Sequence, residues 1–487
     1  MTSLGRAATR GAGVTLASQG IRLLLQVGSL VVLARLLTPQ QFGLVAMVTA
    51  ITGVAEIFRD FGLSSAAIQA KEISDHERTN LFWVNVLLGT FCGAVAAACS
   101  GLIGDIYGEP EVPAIVLALS WLFVISGANT QFRAELSRSL RFSALAVTEI
   151  AAQALSIVTA ITAAALGAGY WAIVFQQIVI VVVTCVVNVF QCRWRPGLPR
   201  RGVSLRRFFR FGAGLLGMQL LGYTTNNVDN VAIGAAWGPV QVGLYGRAYQ
   251  LLIVPLNQVS SALTRVALPV LSRVQDEHER FLRFLRQAQL LCCYGFGLAY
   301  AVAAGLCVPL VAILFGDGWR GVAPIFAMLA IGGIFRGLAQ VTYWITLAKG
   351  LTGSQLRFYL LARPFMIVAI LAGLPWGAVG VAVGHSAAFA LEWFASLWWV
   401  GRAAQMDVKP LARKGLRSVL VVCLPAGLLA YLGTRLVSNV VLELLCGFGL
   451  AALVVVLLCL FSSTERADAR AILDVLRRGI RREAERR

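Results

Sequence analysis

The residues best suited to chemistry in this sequence are charged side chains inside long apolar segments. Glu56, Arg59 and Asp60 form the densest group, and their spacing of i, i+3 and i+4 places them on one face of a helix. A charge at the centre of a bilayer costs about 2.5–3.5 kcal/mol, so each needs a partner or a water-filled cavity. The group therefore indicates either an ion pair that locks one helix to its neighbour or a functional site.

Other polar residues share this placement and divide by chemistry. Guanidinium groups remain charged and can bind an anion through paired hydrogen bonds, and side-chain amides can hydrogen-bond polar groups, so the candidate substrate-binding residues are Arg22, Arg59, Arg247, Arg265, Arg336, Asn226, Asn227, Asn230 and Asn257. Carboxylates can carry protons or cations, so the candidate coupling residues are Glu56, Asp60, Glu149, Asp229 and Glu392.

Each of these groups also has a purely structural interpretation. The asparagines can form hydrogen bonds between helices, and Arg265 can extend its side chain to the membrane surface. Arg22 has no acid within its own apolar segment. It either faces a cavity and binds an anion, or pairs with an acid on another helix, for example Glu149.

The elements that must position these residues are membrane-spanning helices. The 487 residues are 58% hydrophobic and 13% charged, with a net charge of +19, so the charged residues are too few to cover a water-facing surface. Mean hydropathy is +0.77. Fourteen apolar segments are long enough to cross a hydrocarbon layer of about 30 Å, which predicts an all-α integral membrane protein: 11–34, 41–65, 79–104, 112–132, 143–166, 168–190, 211–236, 241–269, 287–315, 322–344, 358–374, 377–400, 416–435 and 439–461.

The distribution of basic residues predicts the orientation. One alternate set of loops, together with both termini, holds 34 of the 42 Lys and Arg residues, whereas the opposite loops hold Arg35, Arg320 and Arg435. The positive-inside rule then places both termini in the cytoplasm. It also explains the high net charge without nucleic acid. The ten cysteines include no C-x-x-C pair, so we expect no metal site and no cofactor.

An internal repeat at an offset of 200 predicts two lobes. VVLARLLTPQQFGL, residues 31–44, aligns with VAIGAAWGPVQVGL, residues 231–244, and both contain Pro-x-Gln-x-Gly between two spans. Six spans separate the copies, so both repeats enter the membrane in the same sense, related by a pseudo-two-fold axis along the membrane normal. The predicted divisions are an N-terminal lobe of spans 1–6 (1–192), a basic cytoplasmic linker (193–210), a C-terminal lobe of spans 7–12 (211–400), two additional spans (401–463) and an amphipathic cytoplasmic tail (464–487).

Four segments carry a resemblance to a known family: LARLLTPQQFGLVAM, FRDFGLSSAAIQ, NNVDNVAIG and GLYGRAYQLLIVPLNQV. They resemble the polysaccharide transporter family of the multidrug/oligosaccharidyl-lipid/polysaccharide flippase superfamily, notably colanic acid exporters and O-antigen type flippases. The resemblance implies alternating-access transport of a polyprenyl-pyrophosphate-linked oligosaccharide from the inner to the outer leaflet of a bacterial plasma membrane.

Partners and competing functions follow from this resemblance. The expected partners are the lipid-linked oligosaccharide, membrane lipids, and the polymerase and export machinery of surface polysaccharide synthesis, with no nucleic acid. An ion-coupled multidrug or cation exporter of the same superfamily is the alternative, but such proteins often have an acid on span 1, where this chain has Arg22. A membrane glycosyltransferase or polymerase is disfavoured because the outward loops are short, so we expect no enzyme.

Overall fold

A computed structural model describes the backbone of residues 3–484 and the side chains of residues 18–474. Over residues 3–484 the chain forms helices joined by turns and by one longer non-helical linker over 192–205, and it contains no strand. The chain divides into two compact units, Met1–Gly243 and Leu244–Arg487. Predicted features outside the described side chains include Arg6, Arg10 and the apolar face of the tail beyond residue 474.

The first unit contains eight complete helices and the first part of a ninth. Two of them begin at side chains that satisfy free backbone groups: Thr38 and Gln41 form a reciprocal capping box at the start of the second helix, and Ser74 and Glu77 form another at the fourth. The helices are α1 (Ser3–Leu36), α2 (Pro39–Asp60), α3 (Leu63–Gln69), α4 (Asp75–Ala98), α5 (Ser100–Tyr107), α6 (Val112–Arg138), α7 (Phe142–Ala165), α8 (Trp171–Gln191) and α9 (Arg206–Arg273).

The second unit begins within the later part of α9 and contains the remaining helices. These are α10 (His278–Cys292), α11 (Leu298–Gly305), α12 (Cys307–Phe315), α13 (Val322–Leu338), α14 (Gln340–Ala348), α15 (Thr352–Ala372), α16 (Gly377–Ala403), α17 (Lys409–Ser418), α18 (Leu424–Thr434), α19 (Val440–Phe461) and α20 (Ser463–Ala484). One π-helical turn, Cys293–Gly297, joins α10 to α11, and another, Val419–Cys423, joins α17 to α18.

Within residues 18–474, twelve helical segments are long and apolar enough to cross a membrane. Two of these segments are interrupted and each contains two of the apolar segments expected from the sequence. Arg206–Arg273 breaks at Gly238, where φ is 74°, and Thr352–Ala403 breaks at the short 3₁₀ helix Leu374–Trp376. The multi-pass helical fold is therefore confirmed, whereas the count of fourteen spans and the division into lobes remain predictions.

The two copies of Pro-x-Gln-x-Gly contact each other inside the first unit. A Cβ atom on Gly43 would overlap the backbone carbonyl of Pro239, and a Cβ atom on Gly243 would overlap that of Pro39. Glycine at both positions lets the two backbones approach in a way no larger residue allows. The sequence repeat thus corresponds to a reciprocal crossing of the start of α2 with α9 just after its break at Gly238.

The basic linker that follows α8 is tied to α4. The indole Nε1 of Trp83 donates to the carbonyl of Gly197 at 2.8 Å. The Asn80 side chain forms two hydrogen bonds with the backbone of Arg200, at 2.7 and 2.9 Å. These hydrogen bonds hold the linker against α4.

In the second unit, an ion-pair cluster attaches the first turns of α20. Glu465 is 2% exposed and accepts from the Tyr294 hydroxyl at 2.6 Å and from Arg417 at 2.8 Å. Asp468 accepts from Lys414 at 2.9 Å. The start of the tail helix is thus bound to protein side chains, while Val475, Leu476 and Ile480 of its predicted membrane-facing side lie outside the described side chains.

Candidate functional site

Two guanidinium groups share one carboxylate inside the first unit. The Nη1 atom of Arg22, on α1, lies 2.6 Å from Oε2 of Glu149, on α7. The Nη2 atom of Arg133, on α6, lies 3.1 Å from the other carboxylate oxygen, Oε1. The side chains of Arg22 and Arg133 are 43% and 61% exposed, so both guanidiniums have free faces. The three side chains carry one more positive than negative charge.

Two members of this triad, Arg22 and Glu149, were candidate site residues in the sequence analysis, and the third, Arg133, was not. The pairing of Arg22 with Glu149 is the alternative partner that the sequence suggested, at a separation of 127 residues. Arg133 was instead counted among loop residues, because hydropathy falls after residue 132. The helix continues to Arg138, and the chain then turns at Leu140, where φ is 53°, since backbone hydrogen bonding in a helix does not depend on hydropathy.

Arg59 is the most buried of the predicted basic residues in the first unit, at 7% exposure. Its Nε and Nη2 atoms donate to the two carboxylate oxygens of Glu56 at 2.9 and 2.7 Å, and its Nη1 atom donates to the Thr130 hydroxyl at 2.8 Å. This fork-to-fork geometry fixes the direction of the guanidinium. The arrangement matches the structural interpretation of an ion pair and also fastens α2 to α6.

Asp60 does not share Arg59 with Glu56. Its Oδ2 atom accepts from the Ser64 hydroxyl at 3.0 Å, and within residues 18–474 it forms no ion pair. Asp60 is therefore the carboxylate in this group whose charge no cation neutralises.

A cavity of about 490 Å³ within the first unit is lined by Glu56, Arg59 and Asp60 and, from the triad, by Arg133. Its polar lining comes from α2, α3, α6 and α8 and includes Glu56, Arg59, Asp60, Ser64, Ser126, Asn129, Thr130, Arg133 and Thr184. A polar cavity of this size can hold water molecules. It therefore provides the wet surroundings that charged side chains require among membrane-spanning helices.

Asn226 and Asn227 of α9 bond to their own helix, whereas the buried Oδ1 atom of Asn230 has no hydrogen-bond partner within residues 18–474. The side-chain amides of Asn226 and Asn227 donate to the carbonyls four residues earlier, at 2.9 and 3.0 Å. Asp229 is 1% exposed, and its carboxylate accepts from the backbone N–H of Asn230 at 2.8 Å. The expected hydrogen bonds between helices are not formed by the Asn226 and Asn227 amide groups.

In the second unit, Arg336 lies among aromatic rings. Its guanidinium is 4.6 Å from the ring centre of Phe389 and donates to the Tyr249 hydroxyl at 3.3 Å. His385, 3% exposed, packs against the rings of both Tyr249 and Phe389. A cation over an aromatic face is attracted by the electrons of the ring.

The other predicted residues of the second unit have contacts of their own. Glu392 lies 3.8 Å from Arg363 of α15, and Arg363 was not among the candidates. Arg247 donates to Gln250 at 2.7 Å. Asn257 and Arg265 are exposed on the later part of α9. Within residues 18–474, no group of three or more His, Cys, Asp or Glu side chains could hold a metal ion.

The sequence is similar to a known protein family and to several characterised proteins. Residues 32–324 match the family described as polysaccharide biosynthesis protein. The chain is 29% identical over 363 residues to lipopolysaccharide biosynthesis protein WzxC of Escherichia coli (strain K12), which covers 72% of both chains. It is 26% identical over 496 residues to succinoglycan biosynthesis transport protein ExoT of Rhizobium meliloti (strain 1021), which covers 96% of this chain and 95% of that one.

Two solved structures share the fold at low sequence identity. Lipid II flippase MurJ in an inward closed conformation has a TM-score of 0.69 at 13% identity, covering 92% of this chain and 98% of that chain. An inward-facing multidrug resistance MATE family transporter of the MOP superfamily has a TM-score of 0.58 at 14% identity, covering 79% and 94%. The chain therefore has the fold of these membrane transporters.

Proposed function

The chain belongs to the polysaccharide biosynthesis protein family, and from this premise we propose that it is a flippase for a lipid-linked oligosaccharide. It moves a polyprenyl-pyrophosphate-linked sugar from the inner to the outer leaflet of the bacterial plasma membrane by alternating access. It acts as a transporter and not as an enzyme, and both of its termini lie in the cytoplasm. The names of ExoT, a transport protein, and MurJ, a lipid II flippase, support this assignment.

The observation that carries the proposal is the excess positive charge at the Arg22, Glu149 and Arg133 triad. The pyrophosphate of such a substrate is strongly anionic, and it must enter a low-dielectric region. Two guanidiniums that share the Glu149 carboxylate keep a net positive charge, which attracts an anion, and Glu149 remains paired. Because Arg133 also lines the polar cavity, the same arginine can contact both phosphate and water.

The remaining predicted residues receive supporting roles in this proposal. Arg59, Arg247, Arg265, Arg336 and the asparagines contribute positive charge or sugar hydrogen bonds, since sugar hydroxyls would each cost a few kcal/mol if left unsatisfied in hydrocarbon. Asp60, whose charge no cation neutralises, is the leading candidate to carry a coupled proton or cation, ahead of Glu56, Glu149, Asp229 and Glu392.

The membrane potential supplies part of the driving force. Moving two negative charges outward across about 100 mV, inside negative, is downhill by about 4–5 kcal/mol. Ion coupling through Asp60 would add to this energy.

Deletion of the gene and analysis of lipid-linked intermediates tests the function and names the substrate. We expect polyprenyl-pyrophosphate oligosaccharide to accumulate on the cytoplasmic side and surface polymer to fall, with both effects reversed by the wild-type gene. Unchanged polymer together with no lipid intermediate would contradict the proposal. Loss of resistance to cationic drugs alone would favour the multidrug alternative.

A further inference from the structure

A second cavity, separate from the one described above, lies in the first unit where α6 and α8 end and α7 begins. Its volume is about 430 Å³, and it is lined by residues from the end of α6, the start of α7 and the segment after α8: Glu135, Leu136, Ser139, Arg141, Cys192, Arg193 and Trp194. The candidate spans reach to Arg138, begin again at Phe142 and end at Gln191. The cavity is therefore at the level where the membrane meets water.

The charges around this cavity are not balanced. Arg141 and Arg193 are exposed, and neither forms an ion pair with the side chains of residues 18–474. Glu135, the acid in the lining, is already 3.3 Å from a guanidinium nitrogen of Arg78. In addition, α7 begins directly after Arg141 and no side chain caps it, so the positive end of a helix dipole adds to the excess.

The backbone fixes Arg141 in place. Leu140 adopts a left-handed conformation, with φ of 53°, and the Arg141 N–H donates to the Leu136 carbonyl at 3.0 Å. A left-handed backbone at a branched residue costs of order 1 kcal/mol, so the tight turn is held by its surroundings. The Arg141 Nη1 atom also donates to the Gln191 carbonyl at 2.6 Å, which connects the start of α7 with the end of α8.

Trp194 gives the cavity an aromatic wall. Its ring packs against Phe132 and Phe82, with ring centres 5.7 and 6.2 Å apart, while the Arg78 guanidinium lies 5.6 Å from the ring centre on the same indole. Tryptophan is enriched at the level of lipid head groups, because its ring is apolar and its N–H is polar.

We propose that this cavity binds the phosphate head group of an anionic phospholipid. The basic residues of this side place it in the cytoplasmic leaflet, whose surface is anionic, and basic pockets between membrane helices on that side are suited to anionic head groups. Arg141 and Arg193 contact the phosphate, and the acyl chains extend along the helices. The site is separate from the proposed substrate site, so it predicts a lipid requirement and not a transported molecule.

The test compares two variants of the full-length protein by native mass spectrometry. Nanodiscs of phosphatidylcholine carry increasing phosphatidylglycerol, and retained lipid is counted for wild type, Arg193→Gln and Arg141→Gln/Arg193→Gln. Arg201→Gln is the matched control, because Arg201 is an exposed arginine on the same linker and does not line the cavity. Arg193→Gln keeps the test valid if the double variant misfolds. The Arg141 side chain donates a hydrogen bond to the Gln191 carbonyl, whereas the Arg193 side chain donates to no backbone carbonyl in the described part of the chain.

We expect the double variant to bind phosphatidylglycerol about tenfold or more weakly, at roughly 1 kcal/mol for each arginine near the surface. Arg193→Gln should lose an intermediate amount and Arg201→Gln nothing measurable. Equal losses in all three variants would overturn the site, because they would indicate non-specific attraction. A second result would also overturn the lipid proposal. If the protein in phosphatidylcholine nanodiscs retains inorganic phosphate at millimolar concentration, and retains no phosphatidylglycerol when that lipid is present, the cavity binds a soluble anion.

Discussion

Replacing Arg22 by alanine separates an anion-binding role from a structural one. In the native triad, Glu149 has two basic partners, so Arg22→Ala leaves it paired with Arg133 at 3.1 Å. No charge is stranded by the substitution. Because Arg22 and Glu149 are 43% and 28% exposed, the stability lost should be about 1 kcal/mol or less. The protein should therefore insert and accumulate normally.

Transport should respond far more strongly than stability. A charge-assisted hydrogen bond contributes about 1.5–3 kcal/mol, so loss of one to the pyrophosphate should slow export about 10-fold to 150-fold. Arg22→Lys should recover only part of this, because an ammonium group cannot form the paired hydrogen bonds of a guanidinium. Arg201→Ala, which removes an exposed linker arginine, is the matched control and should export normally.

The assay measures surface polymer and accumulated lipid-linked intermediate in a deletion strain, with protein level from an immunoblot. The decisive comparison is Arg22→Ala/Glu149→Gln, which keeps the same excess charge as the native triad, now on Arg133 alone. If this double variant exports normally, the position of the Arg22 guanidinium is irrelevant and its assignment to the substrate site is refuted. Continued failure at normal protein level supports it.

Gly43→Ala should lower the free energy of unfolding by about 1–3 kcal/mol in thermal melts, because the new methyl meets the Pro239 backbone; Gly246→Ala, where a Cβ meets open space, should not, and equal melts would contradict the crossing. Glu465→Gln should weaken the attachment of α20 by about 1–3 kcal/mol and speed tryptic cleavage of the tail, since Tyr294 and Arg417 lose a carboxylate. Asp60→Asn should remove the pH dependence of export, and an unaltered pH profile would exclude coupling through Asp60. Reporter fusions after residues 110, 200 and 470 should be outside, inside and inside, and a periplasmic result at 200 would refute the predicted lobes.

Hydropathy predicted the helices well because it depends on local composition. Every expected apolar segment overlaps one or more helices, and Gly238 separates the two segments of α9 near the expected place. The Pro-x-Gln-x-Gly repeat also marked a real structural element, since proline suits the first turn of a helix and glycine allows close approach. These signals need only a few neighbouring residues.

The site was less predictable because it depends on partners distant in sequence. The i, i+3 spacing brought Glu56 and Arg59 together, but it could not indicate that Asp60 would bond Ser64 instead. Glu149 was named as one candidate partner of Arg22. Arg133 was missed because α6 extends beyond the apolar segment that ends at residue 132. A helix end is set by backbone hydrogen bonds and the Leu140 turn, which the hydropathy profile does not record.

The reciprocal contact of the two Pro-x-Gln-x-Gly copies bears on the origin of the chain. Pro39 meets Gly243 while Gly43 meets Pro239, so equivalent positions exchange partners across the contact. This self-complementary pattern is the hallmark of an isologous interface in a homodimer. A half-length ancestor with one copy of the motif could pair with itself through this surface, and gene duplication followed by fusion would preserve the pairing within one polypeptide. After fusion, either glycine can be enlarged only if the other copy changes too, so the two halves must evolve together at this point.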